Sequence, residues 1–402
     1  MKKALLLFIL LAAALLGACA EKAVLPAPTE LLPPAASREA AVEEMLQRKI
    51  EAVETGNLQL YLQQLDPQAW HPTYAKEQEN WFGDIQAQGI KGLQMSVGKM
   101  VADVGFAYGE MTLAYTYQGQ QKSCVLPMRF RLEQTDDGYI AYDCGYDFLL
   151  MENDRLAIYY AGENEALVAK LFENAQGQID RVCAIFETMP SKLIVNFYPQ
   201  REQMLFSVKA SIPDWAGGWT EAEESVKMYA YGSNAVSEAI IEEYYLVTIA
   251  HETVHLVVFD LSGGNASFWL QEGLAGLFED EDQQSILLPA KWFFARELKF
   301  AFRDFAALEK ADYEKITESM HAAIYYDSCE LAAKLAYDHL GMAGLKQAMA
   351  HMAGLGEPPA GYSQAKIDLL AERTRQGFAQ AGYEEGLQKA YDQKMAEFIA
   401  EE

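Results

Sequence analysis

The sequence predicts an α+β chain, a helix-on-antiparallel-sheet unit followed by a mainly helical unit with a small sheet. Three observations predict it. Helical periodicity opens the folded part over residues 38–66, short alternating runs extend to about residue 149, and from Ser237 the pattern is mostly helical to the end. The 402 residues, 51% hydrophobic and 12% aromatic, are long enough and apolar enough for two or three cores. Lys+Arg is 32 and Asp+Glu is 58, a formal net charge of −26. That balance argues against nucleic acid, whose phosphates need clustered Lys and Arg, and against electrostatic docking on anionic lipid.

The first element is a targeting segment. Residues 1–19 read MKKALLLFILLAAALLGAC, with basic Lys2 and Lys3 ahead of the apolar run Ala4–Leu16, which is too short to be a comfortable permanent span. The ending Leu16-Gly17-Ala18-Cys19 resembles the bacterial lipobox. That resemblance implies a lipoprotein signal peptide, cut before Cys19, and an extracytoplasmic chain anchored to the membrane by lipid on that thiol. Residues 20–37 (AEKAVLPAPTELLPPAAS) then read as a Pro-rich tether. No later run is long and apolar enough to predict a transmembrane helix.

Residues 38–150 form the first predicted domain. Val42, Met45, Leu46, Ile50 and Val53 recur at helical spacing, and Gly56-Asn57 breaks the run before Leu58–Leu65 resumes it. A Trp-bearing linker follows. Then come the alternating runs MSVGKMVADV, FAYGEMTLAYTYQ, SCVLPMRFRLEQ and YIAYDCGYDFLL, read as strands of a curved meander. This order resembles the cystatin and nuclear-transport-factor type of domain; the resemblance points to no catalytic residues and implies a structural or substrate-positioning role, with a pocket between helix and sheet as the other candidate. Asp136-Asp137-Gly138 marks a hairpin turn between Cys124 and Cys144. A disulfide between these two cysteines is open if the register allows it; the other reading is two small buried residues.

Residues 151–402 form the second predicted domain. Leu167, Leu171, Phe172, Ile179, Val182 and Phe186 mark an amphipathic helix with a candidate break at Gly177. Leu193–Tyr198 (LIVNFY) reads as a buried strand, and Glu224–Tyr231 as an edge strand able to pair with an extended substrate. Gly263-Gly264 and Gly354–Pro359 interrupt the later helices.

The chemistry lies in AHETVHLVVFDLSGGNASFWLQEGLAGLFE. His251 and His255 stand four residues apart on a helix, so both imidazoles reach one face and one ion. Sixteen residues separate His255 from Glu272, and the Gly263-Gly264 reversal brings a second helix back over that face. Two histidines, one carboxylate and an open corner make the shell of a catalytic Zn²⁺. Glu252, beside the first ligand, serves as general base rather than ligand.

Here the chain resembles the gluzincins, the thermolysin- and zinc-aminopeptidase-like (peptidase MA-like) metallopeptidases. The resemblance implies one Zn²⁺ held by His251, His255 and Glu272, with Glu252 as base and a peptide or protein as substrate. The phrase Trp269-Leu270-Gln271-Glu272-Gly273-Leu274-Ala275 is similar to the WLxEGxA of the aminopeptidases. Glu279 occupies an acidic position of their pattern and implies a carboxylate that orients a ligand histidine. Tyr325 takes the place of the family's oxyanion-stabilising tyrosine, with Tyr326 as the fallback and Ser328 where glycine is usual. The spacing from His255 to Glu272 is slightly shorter than the family's. The Gly-x-Met-x-Asn exopeptidase segment is absent from the sequence, which favours endopeptidase action. The alternative is a non-catalytic lipoprotein that binds a ligand or partner and carries a structural zinc; a weaker one is hydrolysis of a non-peptide amide.

Overall fold

Ser37 opens α1 (Arg38–Thr55) by accepting from the Ala40 N–H at 3.2 Å, and Gly56 closes it in the left-handed region at φ 67°. Asn57 caps the short α2 (Leu58–Leu62) the same way, from the Leu60 N–H. The computed structural model describes residues 37–68, 70–212, 217–220, 224–230, 241–279, 302–316, 318–359, 363–383 and 386–400. Cys19 and the tether up to residue 36 lie outside them. So do parts of two stretches read as helix, 237–240 and 280–301.

The linker read before the meander contains a helix, α3 (Tyr74–Ala87). Its buried Glu77, Trp81, Phe82 and Ile85 recur at turn spacing, a period hidden by the polar residues between them. The meander follows as β1 (Lys91–Asp103), β2 (Phe106–Tyr117), β3 (Gln120–Thr135) and β4 (Gly138–Tyr146), antiparallel in sequence order. Thr135 pairs with Gly138, so Asp136-Asp137 is a two-residue turn.

That register rules out the Cys124–Cys144 disulfide. Phe130 opposes Asp143 and Met128 opposes Tyr146, which places Cys144 about five residues, or roughly 16 Å, along the strand from Cys124. A bridge needs Cα atoms within about 7 Å. Both thiols are free and buried, as are Cys183 and Cys329, and Cys144 donates to Asp66 Oδ2 at 3.5 Å.

The second sheet begins immediately. Its order is β5 (Leu149–Glu152), β6 (Leu156–Tyr160), β7 (Leu193–Tyr198), β8 (Val226–Tyr229), with β6, β7 and β8 parallel. The crossover between β6 and β7 is α4 (Glu165–Phe186), which runs unbroken through Gly177. Between β7 and β8 lies α5 (Arg201–Val208).

Side chains on this sheet alternate between two clients. Leu156, Ile158, Val195, Phe197, Val226 and Met228 join α4 in one core. Ala157, Tyr159, Tyr198 and Tyr229 point the other way, into the core of α1, α3 and the first sheet. Burial on both faces explains why LAIYY and LIVNFY are nearly continuous apolar runs. The two predicted domains therefore share a core across β6–β8. A cavity of about 50 Å³ lies where they meet, with Lys49 and Asp143 paired in its wall.

Beyond the sheet, a π-helical turn (Ile241–Leu246) leads into α6 (Val247–Ser262). Ile249 faces the sheet-side core, and Ala250, Val254 and Val257 face the helical core. A helix apolar on more than one side is an internal helix. Gly263 (φ 61°) and Gly264 (φ 72°) reverse the chain into α7 (Phe268–Phe278). A Cβ on Gly264 would lie 2.8 Å from the Phe259 ring, so the reversal needs glycine twice over. Asn265 pins the turn by donating to the carbonyls of Met352 (3.0 Å) and Gly356 (2.9 Å). The short α8 (Phe305–Glu309), the long α9 (Ser319–Ala353, kinked at Gly341), α10 (Gln364–Gln380) and α11 (Gly386–Ala400) complete the helical part. No helix among the described residues is long and apolar enough to cross a membrane.

Candidate metal centre

α6 presents His251 and His255 one turn apart, and α7 brings Glu272 back over them, so the three donor groups converge. His251 Nε2 and His255 Nε2 are 3.1 Å apart, and each lies 3.5 Å from Glu272 Oε2. Three donors about 2.05 Å from a tetrahedral ion stand about 3.3 Å from one another, and a point at that distance from all three atoms lies about 0.6 Å off their plane. The spacing therefore fits a tetrahedral cation whose three protein donors, among the described residues, are His251, His255 and Glu272. The side chains of His251, His255 and Glu272 keep 19, 17 and 13% of their surface, so the cluster is only partly buried.

Glu279, at the end of α7, accepts from His251 Nδ1–H at 2.8 Å. With an ion in the cluster, this hydrogen bond would keep the remaining proton on Nδ1 and leave the Nε2 lone pair to the ion. Arg181 on α4 holds the same helix end, its guanidinium donating to the carbonyls of Phe278 (3.0 Å) and Glu279 (2.7 Å). Glu279→Ala is expected to weaken ion binding by about 10–100-fold. Competition against a chromophoric chelator measures this, and unchanged affinity would remove Glu279 from the site.

Glu252 is buried beside the cluster, and Thr220 Oγ1 donates to its Oε2 at 2.8 Å. Thr220 follows Trp219, which pairs antiparallel with Lys227 through both backbone hydrogen bonds, at 3.0 and 2.8 Å. The outer edge of β8 is thus covered at Lys227. The strand expected at 224–231, whose last residue lies outside the described residues, therefore offers no free edge to an extended ligand at Lys227. Nothing local in the sequence marks Thr220 or Arg181, because each reaches the site from a distant segment.

α9 begins at Ser319, so both tyrosines lie beyond its first turn rather than opening the helix, and they occupy different surroundings. Tyr325 is 1% exposed, its ring stacked on Tyr313 and edge-on to Phe302 within the helical core. Tyr326 stays half-buried. Burial, and then the charges of Glu272, Cys329 and Glu252, raise its phenol well above the ordinary value; burial, Cys329 and Glu272 raise that of Tyr325 likewise.

Burial alone would raise the Glu272 carboxyl, but the charge and hydrogen bonds of His255 and His251 hold it down to about 2. Burial alone would lower His251, yet hydrogen bonds to Glu272 and Glu279, with the charges of Glu279 and Glu252, lift it well above 6.5. In the ion-free protein the His251 contribution to stability is complete below about 6.5 and fades as pH rises through the raised value. The Glu272 contribution is complete above about 4.5 and is lost as pH falls toward 2. An ion taken up at His251 displaces its proton. Binding is therefore expected to release about one proton near neutral pH and to weaken on acidification. Calorimetry in buffers of different ionisation enthalpy reads that proton, and identical heats would contradict it.

No protein-family model matches the chain, and no curated protein matches it.

Proposed function

We propose that the chain is a membrane-tethered, extracytoplasmic zinc metallopeptidase of the gluzincin kind, with endopeptidase action preferred. The observation that carries this reading is the convergence of His251, His255 and Glu272 at tetrahedral spacing, with the unshared carboxylate of Glu252 alongside. Zn²⁺ held by those three residues would supply a Lewis acid for a peptide carbonyl and lower the pKa of water. Glu252 accepts a proton from the attacking water and passes it to the leaving amine. Tyr326 is the better-placed of the two tyrosines to donate to the developing oxyanion, because Tyr325 is enclosed in the core. Glu279 and Thr220 orient one ligand and the base. The leader and Cys19 support the lipid anchor and the compartment.

The rival reading, a ligand-binding lipoprotein with a structural zinc, draws on the cavity between the two layers. At about 50 Å³ that cavity is well below the volume of an ordinary ligand pocket. The test uses the chain from residue 38 onward, assayed for zinc content and for cleavage of casein and a peptide library, with and without chelator. One zinc per chain and chelator-sensitive cleavage are expected. Full zinc occupancy with no turnover on any peptide would establish the rival instead.

A further inference from the structure

We propose that the N-terminal layer positions the general base, through the Glu77–Lys227 ion pair, β8 and the Trp219–Thr220 segment that holds Glu252. The inference rests on the peptidase reading above and gives the N-terminal layer a part in it.

Lys227 is 1% exposed, and a cation buried that deeply must be paired. Its ammonium meets Glu224 and, at 3.5 Å, Glu77 of α3. Glu77 also accepts from the Ser225 N–H (3.2 Å), the Ser225 hydroxyl (2.5 Å) and the Thr73 hydroxyl (2.7 Å). Asn80, one turn along α3, donates to Glu224 at 2.5 Å. Glu224, Ser225 and Lys227 are therefore all fastened to one helix of the N-terminal layer. The backbone of Lys227 carries Trp219 through two hydrogen bonds, and the next residue supplies the hydroxyl on Glu252. Lys209 caps the outer side of the Trp219 ring at 4.4 Å and pairs with Glu314 at 2.9 Å, closing the segment from above. Every polar link from the Glu77 carboxylate to the Glu252 carboxylate is 3.5 Å or shorter. The three ion ligands stand on α6 and α7 and take no part in this chain of contacts. Loosening it should move the base and leave the ion site intact, a separation that a merely structural network would not give.

The test compares Thr220→Val, Thr220→Ser and Glu77→Gln in the mature chain. Zinc affinity, peptide-cleavage kinetics and hydrogen exchange at the Trp219 and Lys227 amides are measured on each. Thr220→Val is expected to lower kcat about tenfold with KM and zinc affinity within about twofold, and Thr220→Ser to restore it. Glu77→Gln is expected to give the same loss of kcat and about tenfold faster exchange at both amides. The double variant should lose no more than either single one, since both act on one linkage. Wild-type kcat in Thr220→Val, or wild-type exchange and kcat in a folded Glu77→Gln, overturns the positioning role. Should Glu77→Gln fail to fold, Asn80→Ala takes its place with the same expectation. Failure of the peptidase reading looks different: wild type would then turn over no peptide, or Glu252→Gln would cleave as well as wild type, whereas positioning alone fails when wild type cleaves, Glu252→Gln is inactive and Thr220→Val cleaves at the wild-type rate.

Discussion

Glu252→Gln is expected to cut kcat by about 10²–10⁴-fold while the protein still binds one zinc. The substitution preserves shape, and the amide oxygen can still accept from the Thr220 hydroxyl that holds Glu252 at 2.8 Å. What it removes is the ability to take a proton. Glu252 does not belong to the converging set of His251, His255 and Glu272, so its loss should leave the ion site unchanged. Steady-state cleavage and zinc analysis on one preparation make the measurement. Turnover at the wild-type rate would end the base assignment, and loss of zinc together with activity would make Glu252 a ligand.

Two glycines on α7 should respond oppositely to alanine. At Gly273, next to Glu272, an added Cβ would stand 2.2 Å from the Cys329 carbonyl oxygen and 2.7 Å from its carbon. These are backbone atoms of α9 and cannot swing aside, so α7 and α9 must separate. We expect Gly273→Ala to destabilise the protein by about 3 kcal/mol, the upper end for overpacking, and to weaken zinc binding because Glu272 moves with its helix. At Gly276 the nearest atom is Glu330 Cγ at 3.7 Å, ordinary contact with a flexible side chain. Gly276→Ala should stabilise by about 0.5–1 kcal/mol through the helix preference for alanine. Denaturant midpoints decide both. Equal effects of the two substitutions would mean that α7 and α9 do not approach as closely as the 2.2 Å figure requires.

The close approach also gives the Glu-Gly pair of WLQEGLA a physical reason: the carboxylate reaches the cluster while its neighbour lets the next helix in. The cluster was legible in the sequence because its geometry is local. An i, i+4 pair, a double-glycine reversal and one helix suffice to bring His251, His255 and Glu272 together. Glu279 was legible for the same reason, two turns beyond Glu272 on the same helix. What was not legible depends on distant chain. Thr220 and Arg181 reach the site from a strand-like segment and from α4. The choice between Tyr325 and Tyr326 turns on the roughly 100° between successive helical residues, and only packing against Tyr313 and Phe302 shows which ring faces inward. The cysteine pairing was undecidable without the β3–β4 register. α3 was read as a linker because its four buried residues sit among polar ones.

The two-sided burial of β6–β8 has a consequence for how the strands choose their alignment. An ordinary half-buried strand that slips by one residue merely turns its apolar face to water. Here a slip in β7 would drive Asn196, which accepts from His71 at 2.7 Å, into the aliphatic layer over α4. It would also set Val195 against the imidazole that had lost its acceptor. Each layer thus proofreads the strand for the other, and a misaligned chain is penalised at both surfaces at once.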